Sequence, residues 1–99
     1  MSVRKFSGIC YDPSKREKTL QERGLDFADA ALIFDSWTIT VIDDRRDYGE
    51  IRHQTFGELH GRVVSIVWTS RGDERRIISM RHCHDEESRK FRSRLGRSR

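Results

Sequence analysis

Residues 62–82 have the sequence RVVSIVWTSRGDERRIISMRH, and this stretch decides the fold. Two runs of β-branched and aromatic residues flank the turn sequence Arg71-Gly72-Asp73, so the stretch predicts two adjacent antiparallel strands. The first run has apolar residues on both faces: Val64, Ile66 and Trp68 on one, and Val63 and Val67 on the other. Because both faces would be covered, we expect this strand to lie at the centre of a sheet.

Upstream of residue 62, the pattern predicts the rest of the sheet. Apolar residues alternate with threonines from Trp37 to Val41, and the alternation resumes from Tyr48 to Glu58 after a polar loop. A tight turn at His60-Gly61 leads into the central strand, and a short β-like run spans Phe6 to Tyr11. These segments predict an antiparallel sheet of three to four strands.

Helix signals lie on both sides of the sheet segments. Asp12-Pro13 supplies an N-cap and a first-turn proline, and we expect this helix to end near Arg23, before Gly24. Asp26 begins a second helix, whose core-facing residues recur at helical spacing: Phe27, Ala30, Ala31 and Phe34. Residues 85 to about 95 predict a C-terminal helix. The fold class is therefore α+β, with two N-terminal helices, three to four antiparallel strands and a last helix.

The length and composition limit the class of protein. A chain of 99 residues is expected to form one domain. No apolar run approaches the roughly 18 residues that a membrane span needs, and no apolar block at the N-terminus resembles a secretory signal. We therefore expect a cytoplasmic protein without membrane contacts, in which Cys10 and Cys83 are reduced thiols.

The positive charge is concentrated at the C-terminus. The net charge is +4, but residues 89–99 contain six basic residues and no acidic one, whereas residues 1–88 carry a slight acidic excess. We expect a domain spanning residues 1–91, followed by a basic tail, residues 92–99. Such a tail either strengthens binding to nucleic acid by releasing counterions or simply keeps the chain soluble.

Arginines on the last predicted strand favour RNA chemistry. Guanidinium groups on a rigid sheet can hold a phosphate chain and stabilise the charge that develops on it during cleavage. Cleavage of RNA without a metal also requires the ribose 2′-OH in line with the leaving 5′-oxygen. We assign Arg52, Arg76 and Arg81 as catalytic phosphate-binding residues. Glu50 is the carboxylate that orients Arg52 or accepts a proton.

Each of these residues also has a structural interpretation. Glu50 and Arg52 are spaced like an ion pair on the surface of a strand. An ideal strand sends Arg76 and Arg81 to opposite faces, so either the strand is irregular or one arginine is structural. Arg23 interacts either with the end of its helix dipole or with phosphate.

Other candidate residues favour structural roles. His53 is expected to be structural, and the spacing of three aromatic residues fits core positions: Tyr11, Trp37 and Trp68. His82-Cys83-His84 offers metal-binding groups, but the chain has no second ligand pair. We therefore predict no metal site.

Several short motifs follow one another along the chain. They are Tyr11-Asp12-Pro13-x-Lys15, Gly24-Leu25-Asp26-Phe27-x-x-Ala30, Phe34-Asp35, Glu50-x-Arg52, Phe56-Gly57, Gly61-Arg62, Thr69-x-Arg71-Gly72 and Arg76-Ile77-Ile78-Ser79-Met80-Arg81. In this order they resemble the BrnT family, the ribonuclease toxins of bacterial type II toxin–antitoxin pairs, whose fold is similar to RelE. The resemblance spans about residues 6–91.

The resemblance implies a metal-independent endoribonuclease without cofactors, which inhibits translation by cleaving RNA. It also implies a cognate antitoxin, a BrnA-like ribbon-helix-helix protein that neutralises the toxin. The toxin then contacts operator DNA only through their complex. We assign RNA binding to further basic residues: Lys15, Arg23, Arg62, Arg92 and Arg94.

The chain departs from the family pattern at three positions, in two places. Where the family usually has Lys-His before the glycine, this chain has Glu22-Arg23, and Tyr11 replaces a tryptophan. The first change removes a histidine, whose pKa lies near neutrality. Two alternatives therefore stay open: a catalytically degenerate homologue that acts as an antitoxin-binding partner in operon autoregulation, and a non-enzymatic RNA-binding module.

Overall fold

Five β-strands form one mixed sheet in the computed structural model, which describes residues 6–97 and the side chains of residues 6–96. The strands are β1 (Gly8–Cys10), β2 (Ile39–Asp43), β3 (Arg52–Leu59), β4 (Arg62–Arg71) and β5 (Glu74–His82). Their order across the sheet is β1-β5-β4-β3-β2, so β4 is central, as predicted.

The predicted sheet, antiparallel and of three to four strands, was wrong in one respect. Strands β2 to β5 form an antiparallel meander, but β1 adds to the outer side of β5 in parallel orientation. In this pairing Gly8 lies opposite Glu74, a residue far from it in the sequence. Because β1 has three residues and its partner is distant in sequence, no local pattern indicates this pairing.

Helix α1 (Pro13–Arg23) forms as the sequence predicts. The Asp12 carboxylate accepts a hydrogen bond from the Ser14 N–H, which caps the first turn. At the other end, Gly24 has φ 68° and donates its N–H to the Leu20 carbonyl. The helix therefore begins and ends at the residues with the expected capping chemistry.

The second predicted helix has a different geometry. The Asp26 carboxylate accepts a hydrogen bond from the Ala28 N–H, but the element that it caps is a 3₁₀ turn (Phe27–Asp29). The α-helix that follows, α2 (Ala30–Phe34), has five residues. A 3₁₀ turn has about three residues per turn, so the apolar phase shifts. Ile33 is consequently buried in the core, whereas Ala31, which we expected to face it, is exposed.

The main core lies on one side of the sheet, which we call the core face. Its strand residues pack against the 3₁₀ turn and α2: Val64, Ile66, Trp68, Ile77 and Met80 meet Leu25, Phe27, Ala30 and Ile33. The opposite side, which carries Ser65, Val67 and Thr69 of β4, we call the arginine face. Val63 and Val67 on this second face are also buried, which confirms that β4 is covered on both sides.

Two strand boundaries differ from the prediction. Trp37 precedes β2 and is 71% exposed, so its predicted core position was wrong. Strand β3 begins at Arg52 rather than Tyr48, because Gly49 has φ 72° and its N–H binds the Asp47 carboxylate in a tight turn. Glu50 therefore lies before the strand and not on it.

Helix α3 (Asp85–Arg97) covers part of the arginine face. Phe91 is buried and lines an apolar pocket with Ile39, Val41 and Phe56 of the sheet. The helix extends about two residues beyond the expected end, so most of the segment predicted to be a basic tail is helical. None of the helices among the described residues is long and apolar enough to cross a membrane.

Candidate active site

A β-bulge in β5 decides which side chains share the arginine face. Val67 lies opposite Ser79, but the next β4 residue, Trp68, lies opposite Ile77. Ile78 is therefore an extra residue without a partner on β4. The irregular strand, one of the two options that the sequence left open, is confirmed.

The bulge brings both predicted β5 arginines to the arginine face. Arg76 lies opposite Thr69 and Arg81 opposite Ser65. Residues directly opposite one another in an antiparallel pair project to the same face, and Thr69 and Ser65 are four residues apart. Arg76 and Arg81 are thus separated by about 13 Å along the sheet.

Arg52 lies beside Arg76 on this face. The register of β3 with β4 puts Arg52 level with Thr69, so Thr69 lies between the two arginines. Because two strand spacings separate them, their Cα atoms lie about 10 Å apart, and the two side chains are long enough to bind one phosphate between them. The Arg52 guanidinium also lies over the Tyr48 ring, 4.0 Å from its centroid.

Glu50 bridges two arginines at this end of the sheet. One carboxylate oxygen accepts a hydrogen bond from Arg71 Nη1 at 3.1 Å, and the other accepts one from Arg52 Nε at 3.4 Å. The hydrogen bond from Arg71 is the main cause that lowers the pKa of Glu50, and Arg52 adds to it. Glu50 is therefore an ionised carboxylate that orients Arg52, and it is a weak proton acceptor.

Arg76 differs from the other arginines of the face in its charge balance. Its side chain is half-buried, and no carboxylate of the described residues forms an ion pair with it. Its guanidinium is thus not held by an ion pair among these residues. A phosphate between Arg52 and Arg76 would supply the missing anion.

Arg81 is committed to a contact within the chain. Its two terminal nitrogens bind the two carboxylate oxygens of Glu87 at 2.8 Å each. Glu87 also accepts a hydrogen bond from the His84 N–H, as the third residue of a helix does in a capping box. These hydrogen bonds, with that from Arg81 first, lower the pKa of Glu87 to about 2. Arg81 therefore fastens the start of α3 to the sheet.

Sequence reasoning missed three residues at this face: Arg45, Tyr48 and Glu87. The Asp43 carboxylate is buried and accepts two hydrogen bonds from Arg45, at 2.7 and 2.9 Å, which lower the pKa of Asp43. Arg45 lies in a loop of mixed charge, where composition gave no signal. Glu87 could have been found as the third residue of a helix that begins at Asp85, the position from which a glutamate reaches back to the preceding N–H.

The residues predicted to bind RNA are dispersed. Lys15 is exposed on α1, and Arg23 donates to the Met80 carbonyl at 2.7 Å, on the outer edge of β5. Arg62 and Arg92 line a groove between the β3–β4 turn and α3, where Arg92 binds Glu58 and the Gly61 carbonyl. Arg94 lies on α3 beside the apolar pocket. The structure does not bring these five residues together.

The core face holds two further polar side chains, His53 and Arg75. The His53 ring stacks on the Trp68 ring, with 4.3 Å between the ring centroids. Burial is the main cause that lowers the pKa of His53. The Arg75 guanidinium lies within 5.0 Å of the Phe6, Phe34 and Trp68 ring centroids, away from the arginine face. Cys10 and Cys83 are free thiols. Within the described part of the chain, no three His, Cys, Asp or Glu side chains cluster as metal ligands would.

The fold and this face define a small α+β protein with a site suited to a phosphate group. The family model described as the ribonuclease toxin BrnT of type II toxin–antitoxin systems matches residues 11–87. Since the match covers most of the chain, this protein belongs to the BrnT family, and the predicted resemblance is confirmed. Membership implies an antitoxin partner. No curated protein matches the chain.

Proposed function

We propose that this protein is a cytoplasmic, metal-independent endoribonuclease toxin that inhibits translation by cleaving RNA. The observation that carries the proposal is the pair Arg52 and Arg76 on either side of Thr69, with no carboxylate paired to Arg76 among the described residues. Family membership supports the ribonuclease class.

The proposed reaction is an internal transesterification. The ribose 2′-oxygen attacks the adjacent phosphorus and releases its proton to water, while the bond from phosphorus to the 5′-oxygen breaks and this oxygen takes up a proton from water. The products are a 2′,3′-cyclic phosphate and a 5′-hydroxyl end. Arg52 and Arg76 bind the non-bridging oxygens and stabilise the charge that they gain in the transition state.

Glu50 acts in this proposal by orientation. Its bonds to Arg52 and Arg71 hold the Arg52 guanidinium toward the phosphate. The lowered pKa of Glu50 makes it a poor general base at neutral pH, so alignment and charge stabilisation supply most of the acceleration. Arg81 contributes positive potential and positions α3 through Glu87.

The proposed partners follow from the toxin class. A ribbon-helix-helix antitoxin binds the toxin and neutralises it, and the complex of the two proteins contacts operator DNA. RNA is the substrate, and the basic residues Lys15, Arg23, Arg62, Arg92 and Arg94 are proposed to add phosphate contacts outside the cleavage site.

The first experiment tests cleavage directly. Purified protein, freed of antitoxin, is incubated with single-stranded RNA in EDTA, and the ends of the products are analysed. We expect cleavage with cyclic phosphate or 3′-phosphate ends. If the wild-type protein neither cleaves RNA nor arrests growth, the enzyme proposal fails for this protein.

A degenerate toxin is the second candidate function. The observation that favours it is the hydrogen bond from Arg23 to the Met80 carbonyl, since this position is occupied by a structural contact where relatives usually have a histidine. The double substitution Glu22→Lys and Arg23→His discriminates between the two functions. A gain of toxicity supports degeneration, whereas unchanged activity argues against it.

A further inference from the structure

Strand β2 forms an unprotected edge of the sheet. It is last in the strand order, and no strand among the described residues pairs with its outer side. Natural proteins usually protect such an edge with lysine, proline or a bulge. Residues 39–43, with the sequence ITVID, contain neither residue type, and their pairing with β3 has a regular register.

The opposite edge of the sheet is better covered. Strand β1 pairs with the first residues of β5, and the Arg23 guanidinium binds the Met80 carbonyl further along the same edge. Strand β1 is itself an edge strand, but it has three residues against five in β2, so β2 offers the longer open edge.

Exposed apolar side chains surround the β2 edge. Val41 is 39% and Ile42 57% exposed, on opposite faces of the strand. Trp37, just before the strand, is 71% exposed. Unpaired backbone groups with apolar side chains on both faces are the features that an added strand from another chain uses.

An apolar pocket with a basic rim lies beside this edge. The side chains of Ile39, Val41, Phe56 and Phe91 form its walls, and Lys90 and Arg94 of α3 lie at its opening. The acid at the opening, Glu87, is bound to Arg81, and Lys90 has an exposed ion pair with Glu86 at 3.5 Å. The pocket therefore fits an apolar side chain that has acidic neighbours in its own chain.

We propose that the β2 edge is the surface on which the antitoxin docks, through an extended segment with an apolar residue between acidic ones. The segment adds a sixth strand beside β2 and fills the apolar pocket. This inference rests on the antitoxin partner of the proposed function. A second copy of this chain fits less well, because its net charge of +4 would meet the same basic rim.

Docking at this edge explains how the partner would neutralise the toxin. Asp43, the last residue of β2, lies opposite Arg52, and it accepts hydrogen bonds from Arg45, two residues further along the chain. An added strand would lie about 10 Å from β3, since neighbouring strands are about 4.8 Å apart. Acidic side chains on it would then reach Arg52, one of the two arginines that are proposed to hold the scissile phosphate.

The test uses the full-length chain and the protein encoded by the adjacent gene. In the variant V41K/I42K, lysines replace two exposed apolar residues of the edge. The control, L20K/L32K, makes the same chemical change at exposed positions on α1 and α2. Titration calorimetry measures binding to the neighbour-encoded protein, and RNA cleavage is measured on each variant alone.

We expect V41K/I42K to bind the partner about 30-fold more weakly or worse, while the control binds like the wild type. Hydrogen exchange of residues 39–43 should slow in the wild-type complex. Unchanged affinity of V41K/I42K, or equal loss in the control, overturns the proposal. So does a wild-type dimer that V41K/I42K breaks, because the edge would then bind a second copy.

The cleavage assay separates this inference from the proposed activity. If the wild type cleaves RNA but does not bind the neighbour-encoded protein, the docking surface is wrong and the nuclease stands. If the wild type binds through β2 but does not cleave, the docking surface stands and the nuclease is wrong.

Discussion

At the scale of residues, Arg76 and Arg81 share a face but not an environment. Arg81 is held by two hydrogen bonds to Glu87, whereas Arg76 has no ion pair within the described residues. An arginine without a carboxylate partner binds an incoming phosphate without first breaking an internal contact. The two residues should therefore differ in what their removal changes.

We expect Arg76→Ala to lower the rate of RNA cleavage by about 100-fold or more, since it removes a charge that stabilises the transition state. The free energy of unfolding should change little. Single-turnover cleavage and thermal melts measure the two quantities. Lys18→Ala, which removes an exposed charge from α1, is the control. Equal rates for Arg76→Ala and wild type would remove Arg76 from the site.

Glu87 should make the protein sensitive to acid. Its pKa is lowered to about 2 in the folded chain, against 4.5 for the ordinary group. The stabilisation is therefore complete above about pH 4.5 and is lost as the pH falls toward 2. Because the pair is partly exposed, we expect about 1 kcal/mol to be lost.

Urea unfolding between pH 6 and pH 2 measures this effect. The loss should be smaller in Glu87→Gln than in the wild type, and it should persist in Glu86→Gln, whose carboxylate lies on the exposed side of α3. Parallel pH curves for Glu87→Gln and wild type would contradict the assignment.

At the scale of elements, Gly57 lets β3 approach α2. A Cβ at this position would lie 2.6 Å from Ile33 Cγ2 and 3.2 Å from Thr38 Cγ2. We expect Gly57→Ala to lower the free energy of unfolding by about 1–3 kcal/mol, because the core has no room for the methyl group.

The matched control for this substitution is Gly96→Ala in α3, where an added Cβ meets no atom within 4 Å. Alanine favours a helix, so this control should melt at the same temperature as the wild type or higher. An unchanged melting temperature in Gly57→Ala would show that α2 can move away from β3 at little cost in free energy.

The elements also show which parts of the fold the sequence can predict. Helix α1 and the β3–β5 strands follow local signals, namely caps, turns and alternation, and these were predicted with errors mainly at their ends. The pairing of β1 with β5 and the 3₁₀ turn before α2 depend on tertiary contacts. Local propensity does not contain that information.

The candidate site was predictable to a similar extent. Arg76 and Arg81 were recognised from residue type and spacing, but their common face depends on the bulge at Ile78. An ideal strand period gives the wrong face for one of them. The contact from Glu87 to Arg81 joins a helix to a strand, and only the folded chain brings the two together.

At the scale of the whole molecule, the C-terminal segment contributes both positive charge for RNA binding and contacts that stabilise the fold. Arg92 of α3 binds Glu58 and the Gly61 carbonyl, at 3.1 Å each, across the arginine face. We expect deletion of residues 92–99 to weaken RNA binding, with a smaller salt dependence, and to lower the free energy of unfolding by about 1 kcal/mol.

A shorter deletion, of residues 95–99, keeps Arg92 and serves as the control. Filter binding at several salt concentrations and urea unfolding measure the two effects. Complete loss of binding in the longer deletion, with an intact fold, would instead favour the RNA-binding module without catalysis.

The parallel pairing of β1 with β5 also has a consequence for synthesis on the ribosome. Residues 8–10 emerge early but find their partner only when residues 74–76 have left the exit tunnel. Helix α3 and Glu87 follow later still. The nascent chain should therefore stay open and inactive until β5 has left the exit tunnel. Ribosome-stalled chains that end before β5 should be cut readily by protease, whereas the released protein resists.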